Sequence, residues 1–144
     1  MNIPTKESII SKLQQHFKTI LHPITGKQIF YTGKLNNGRV ILVCTPQSKL
    51  HRNGNGWVDI TITQLALLEK TDCSILALRL EGDKVYYLNI SDLKPYLTNE
   101  SMVNNKREGD HWKLHMWPSY IQVLGNNEKL QVEANKIENL NLHL

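Results

Sequence analysis

The sequence lacks the features that announce a chemistry most directly. Its 144 residues include two cysteines and two phenylalanines. There is no glycine-rich phosphate loop, no dinucleotide glycine fingerprint, no serine elbow and no CxxC pair. Nucleotide hydrolysis, dinucleotide redox chemistry and acyl transfer are therefore not declared by any motif. Long apolar runs are missing too: the best stretch, 40–44, falls far short of the roughly 20 residues a bilayer span needs. The amino-terminal stretch carries Lys6 and Glu7 early and never builds an apolar core, so no secretory signal is expected and the cytosol is the expected compartment. Cys44 and Cys73 each lie in a strand-like apolar run, which predicts buried free thiols. One further absence bears on function: residues 28–45 contain no Asp or Glu.

What is present describes one globular domain over 1–144. A chain of this length can bury about two-thirds of its unfolded surface, enough for a core without disulfides or a structural metal. Hydrophobic residues at 40% and charged residues at 21% rule out wholesale disorder. The formal net charge of +4 is unevenly placed. Residues 1–56 hold Lys6, Lys12, Lys18, Lys27, Lys34, Arg39, Lys49 and Arg52 against Glu7 alone, a net +7, which leaves −3 for the remainder. A basic half attracts polyanions and steers their encounter.

The apolar spacing of Ile9, Ile10, Leu13, Phe17, Ile20 and Leu21 predicts an amino-terminal helix running from Thr5 to near His22, where Pro23 stops it. Strands are expected at 28–32 and 39–45, joined by a hairpin turn at Leu35, Asn36, Asn37 and Gly38. Pro46 is expected to end the second strand or place it at an edge. A third strand spans 57–61, a short helix capped by Thr63 spans 63–70, and 73–80 reads as a central strand buried on both faces. Residues 85–90 pair with it, Ser91 caps another short helix, 99–110 is a mobile loop, and 111–117 with 120–124 close the fold. Residues 131–134 read as an edge strand. The predicted class is α/β with a mixed, mostly antiparallel sheet and short connecting helices. Its core is expected over about 4–124, with the packing of 125–144 left open.

The order helix, hairpin, third strand, helix, buried strand, further strand over 1–97 resembles the PD-(D/E)xK restriction-endonuclease-like superfamily. The resemblance is one of topology, with Gln47, Ser48 and Lys49 forming a Q-x-K element after the second strand. It implies a divalent metal, Mg²⁺, held by carboxylates that activate water. Without an acid on the 28–45 hairpin, such catalysis would have to recruit Asp59 beside Gln47 and Lys49. The resemblance therefore implies a degenerate scaffold with no metal site and no cofactor, accessory to a restriction, defence or mobile-element system.

The basic loop 49–57 offers Lys49, His51 and Arg52 as phosphate donors, Gly54 and Gly56 for close backbone approach, and Trp57 as a base-stacking ring, although core packing is the default for Trp57. With Lys34 and Arg39 these residues form the expected contact set for DNA or RNA, all on one face. On the predicted last hairpin, His111, Lys113 and His115 share one face and Trp112, Leu114 and Met116 the other. No acid or cysteine lies at ligand spacing in that segment, so a solvent-facing polar row is expected there and no metal. The expected function is a non-catalytic nucleic-acid-binding module. The alternatives are a metal-dependent DNA endonuclease, and a protein-interaction or inhibitor domain that meets a protein partner through 111–120.

Overall fold

A computed structural model describes residues 2–140 as an α/β domain of three layers: one helix, a mixed sheet and a second, antiparallel sheet. The last residues of the chain, 141–144, lie outside the described residues and so does that part of the carboxy-terminal question.

Helix α1 spans Lys6–Phe17 and starts where Thr5 accepts a hydrogen bond from the Ser8 N–H. It ends sooner than the apolar spacing predicts. Lys18 takes a left-handed conformation (φ 53°), and Ile20 lies 67% exposed. Pro23 belongs instead to a short edge strand, β1 (His22–Ile24), which precedes β2 (Lys27–Lys34). Gly33 is required where β2 passes the 18–21 segment, because a Cβ there would collide with the Ile20 carbonyl.

The expected hairpin joins β2 to β3 (Val40–Cys44), with Gly38 at φ +84° and Asn37 Oδ1 accepting from the Arg39 N–H. Strand β3 stops at Cys44, just before Pro46, as expected. Strand β3 pairs parallel with β6 (Cys73–Leu80), and after Pro46 the chain resumes as β4 (Gln47–Ser48) in the same register on the same strand. The proline breaks the ladder at one N–H while its carbonyl still accepts from the Arg79 N–H at 2.9 Å. Strand β7 (Lys84–Asn89) covers the other edge of β6, antiparallel. The order is therefore β1-β2-β3/β4-β6-β7, and β6 is buried along its whole length, as a central strand should be.

The third strand departs from the expected topology. β5 (Gly56–Thr61) leaves the first sheet and pairs antiparallel with β8 (His111–Met116), then β9 (Tyr120–Val123) and β10 (Leu130–Gln131). Helix α2 (Ile62–Glu69) returns the chain to β6. Its cap is Thr61 rather than Thr63, in a reciprocal capping box with Gln64. Helix α3 (Ile90–Leu93) begins at Asn89 rather than Ser91 and runs into a 3₁₀ turn, Lys94–Tyr96.

Period-two alternation sorts the first sheet between two cores. Ile41, Val43, Ile75, Ala77, Val85 and Tyr87 face Ile9, Ile10 and Leu13 of α1. Leu42, Cys44, Leu76, Leu78, Tyr86 and Leu88 face Val58, Ile60, Trp112, Leu114, Met116, Ile121 and Val123 of the second sheet. Arg79 points to the helix side, 7% exposed, where its guanidinium donates to the carbonyls of Thr45 (3.0 Å) and Pro4 (3.2 Å) and pins the start of α1 to the sheet. Both cysteines are buried free thiols, and burial pushes the Cys44 pKa up to about 12.

Segment 99–110 is a loop without helix or strand, as expected, anchored at Val103. Val103 exchanges two backbone hydrogen bonds with His111, and Trp112 Nε1 donates to the Thr98 carbonyl at 2.8 Å. After β10 the chain crosses the open edge of β7, where Asn135 bonds both the N–H and the carbonyl of Val85. Pairing that edge removes a template for strand addition.

Candidate functional site

The inner face of the second sheet is core, so its outer face is where polar chemistry collects. Antiparallel register sets Trp57 opposite His115, Asp59 opposite Lys113, and Thr61 opposite His111. Cross-strand partners on one face have Cβ atoms about 5 Å apart, which forces these side chains into contact.

The loop before β5 is compact. His51 N–H donates to the Asn55 carbonyl (2.8 Å), Gly54 N–H to the His51 carbonyl (2.9 Å), and the Trp57 N–H to Ser48 Oγ (2.8 Å), so the loop closes on its own base. Leu50 N–H donates to Glu81 across the hairpin tip. Lys49 and Arg52, both exposed, lie on this closed loop. Trp57 does not enter the core. It lies 41% exposed, with ring centroids of His51 and His115 at 5.4 and 5.3 Å and Lys113 Nζ 5.0 Å from its ring. A shallow groove of about 430 Å³ runs alongside, lined by Pro46, Gln47, His51, Trp57, Val58 and Asp59.

Asp59 links both ends of this face. Its Oδ1 accepts from Trp57 Nε1 (3.3 Å) and pairs with Lys113 Nζ (3.5 Å), while Oδ2 lies 3.8 Å from His111 Nε2. The expected solvent-facing row of His111, Lys113 and His115 is only partly that, because His111 is 2% exposed.

His115 is half-buried. Asn55 Nδ2 donates to its Nδ1 at 3.2 Å, and its buried Nε2 has no hydrogen-bond partner among the described residues. Burial first, then the charges of Lys113 and His51, hold its pKa below the ordinary 6.5. The folded protein thus keeps His115 neutral, whereas the unfolded chain takes up a proton near pH 6.5. His115 makes stability greatest above that pH and removes it as the pH falls towards the lowered folded value. The urea midpoint is expected to drop between about pH 7.5 and about pH 5.5, and His115→Gln should flatten that slope. An unchanged slope in the variant would assign the effect to another group.

Lys34 and Arg39 do not join this constellation. They flank the β2–β3 hairpin, beside the start of β6, where Arg39 Nη2 donates to the Asp72 carbonyl at 3.3 Å. Lys49 follows β4, beside the end of β6. The eight residues of β6 separate the two groups by roughly 23 Å. The structure therefore brings together Gln47, His51, Trp57 and Asp59, with Lys49 and Arg52 on the adjoining loop, and leaves Lys34 and Arg39 at the far end.

Two residues escaped the sequence reading: Lys113 as the ammonium beside Trp57, and Glu108, whose carboxylate lies near Asp59 and His111. Glu108 is separated from Asp59 by nearly fifty positions, and only the β5–β8 pairing connects them. No family model matches this chain, no curated protein matches it, and no solved structure matches it.

Proposed function

We propose that the chain is a non-catalytic nucleic-acid-binding module that takes a single-stranded segment of DNA or RNA across the outer face of its second sheet. The observation that carries this reading is the exposed Trp57 ring, set among Lys113, His51 and His115, with Lys49 and Arg52 exposed on the loop that leads into it. An exposed indole stacks on an unpaired base whatever its identity, and flanking cations follow the phosphates. A duplex, whose bases are already stacked, offers that ring nothing comparable. Lys34 and Arg39 fall outside this footprint and contribute only to the general field of the basic half.

The endonuclease alternative has one observation of its own, since Gln47 and Asp59 line the same groove. Binding remains the better-supported reading, because the residues that would grip phosphate and base are assembled whether or not a metal is held.

The test is fluorescence anisotropy with a labelled oligonucleotide of mixed sequence at several salt concentrations. Affinity is expected to fall linearly in log–log form, with a slope of about −2 for the phosphates met by Lys49, Arg52 and Lys113, at roughly 0.7 per contact on a single strand. A duplex of the same sequence should bind more weakly. Absence of saturable binding at about 50 mM salt, where counterion release favours association most, would remove the reading.

A further inference from the structure

We propose that Asp59, Glu108 and His111 form a binding site for a divalent transition-metal ion. One ligand atom from each lies within 4.8 Å of the other two. The site stands independently of the nucleic-acid reading.

The argument starts at His111. Its Nδ1 lies 2.9 Å from the Gly109 carbonyl, which can only accept, so Nδ1 carries the proton. In the neutral ring Nε2 then presents a lone pair. That atom is buried, belongs to a side chain 2% exposed, and has no hydrogen-bond partner among the described residues. It faces Asp59 Oδ2 at 3.8 Å, beyond hydrogen-bond reach, and the carboxylate of Glu108. A buried lone pair turned towards two carboxylates is a position that a cation between them would satisfy. A single proton on Nε2 could serve only one of the two acids.

The surroundings fit a metal. A backbone carbonyl on the distal nitrogen fixes the tautomer and the ring orientation, the usual outer support of a histidine ligand. Asp59 is braced as well, with Oδ1 held by Trp57 Nε1 and Lys113 Nζ so that Oδ2 turns inward. Glu108 is presented by a tight turn in which Asn105 Oδ1 accepts the N–H groups of Arg107 (2.8 Å) and Glu108 (2.9 Å), and Gly109 follows at φ +82°. Ligand atoms on one ion at about 2.1 Å stand about 3.0–3.4 Å apart, so small side-chain movements close the set. One imidazole with two carboxylates suits Zn²⁺ or Mn²⁺ better than Ca²⁺. Asp59 and Glu108 are both exposed, so further coordination positions open to solvent. The Lys113 charge offsets part of the acid pair and lowers affinity without occupying the site.

The test is calorimetric titration of tag-free, chelator-treated protein with Zn²⁺ and, separately, Mn²⁺. One ion per chain is expected to bind. Glu108→Gln and Asp59→Asn, both at exposed positions that the fold does not need, should each weaken it by at least about tenfold. The ¹⁵N resonance of His111 Nε2 should shift on addition of Zn²⁺. The proposal is overturned by no saturable binding up to about 1 mM of either ion. It is equally overturned by affinity that survives both acid variants, or by affinity lost in His51→Ala instead, which would place the ion elsewhere on this face.

Discussion

Leu76→Ala is expected to destabilise the protein by about 3–5 kcal/mol, the largest loss foreseen for a single truncation. Leu76 is fully buried on β6, with Cys44 and Leu88 as its lateral partners and the second sheet above it. Truncation removes the transfer energy of a whole isobutyl group. It also leaves a cavity that two stiff sheets cannot close, because strands on both sides hold the backbone in register. Against a total stability of roughly 5–15 kcal/mol, such a loss would bring the domain near its unfolding threshold at ambient temperature. Urea unfolding followed by far-ultraviolet circular dichroism measures it, with Leu124→Ala, at a position 48% exposed, as a control that should change stability by less than about 0.5 kcal/mol. A loss below about 1 kcal/mol at Leu76 would mean that the sheets do not meet at β6.

That core was readable from the sequence because its signals are local. The run 73–80 is apolar without alternation, which only a strand buried on both faces tolerates, and β6 is that strand. The Asn37 and Gly38 turn supplied its own positive φ, and the alternation at 111–116 put Trp112, Leu114 and Met116 into the core as expected. What failed depended on tertiary partners. Ile20 continued the helical spacing of α1, yet Lys18 left the helical region and the chain turned back over Gly33. Pro46 read as a strand end and β3 does stop at Cys44, but the separate strand β4 beyond it went unseen, because it exists only where β6 offers an unbroken partner in constant register. Trp57 read as core because a large apolar ring on a strand is usually buried. Its alternate neighbours, Val58 and Ile60, took the inward face of β5 instead, and period two then required Trp57 and Asp59 to point out. The candidate site was legible only in pieces. The loop 49–57 was singled out from composition, but its connection to Lys113, Glu108 and His111 is a consequence of β5 pairing with β8, across about fifty residues of chain, and no local pattern encodes that choice. Charge counting over 1–56 grouped Lys34 and Arg39 with Lys49 and Arg52, but the length of β6 sets the two groups at opposite ends of the sheet.

Trp57→Ala is expected to weaken binding of a single-stranded oligonucleotide by about five- to 150-fold, the energy of one base stacked on an aromatic ring. The magnitude follows from what the ring does and does not support. Trp57 carries little of the fold: its inward neighbours hold β5, its own N–H bond to Ser48 is a backbone bond that alanine keeps, and the lost side-chain contacts are with exposed or half-exposed groups. Thermal stability should therefore stay close to that of the parent while affinity falls, a separation that a core tryptophan such as Trp112, 4% exposed, could not give. Trp57→Phe should retain most of the affinity, because the stacking surface survives although the indole N–H to Asp59 is lost. Lys113→Ala should act differently again, lowering affinity evenly across sequences and reducing the salt slope by about 0.7, since it removes a phosphate contact rather than a stacking partner. Anisotropy titrations of the three variants at one low and one high salt concentration separate these effects. Unchanged affinity in Trp57→Ala, with binding otherwise intact, would move the nucleic acid off this face and leave the groove beside Gln47 and Asp59 without its stacking wall.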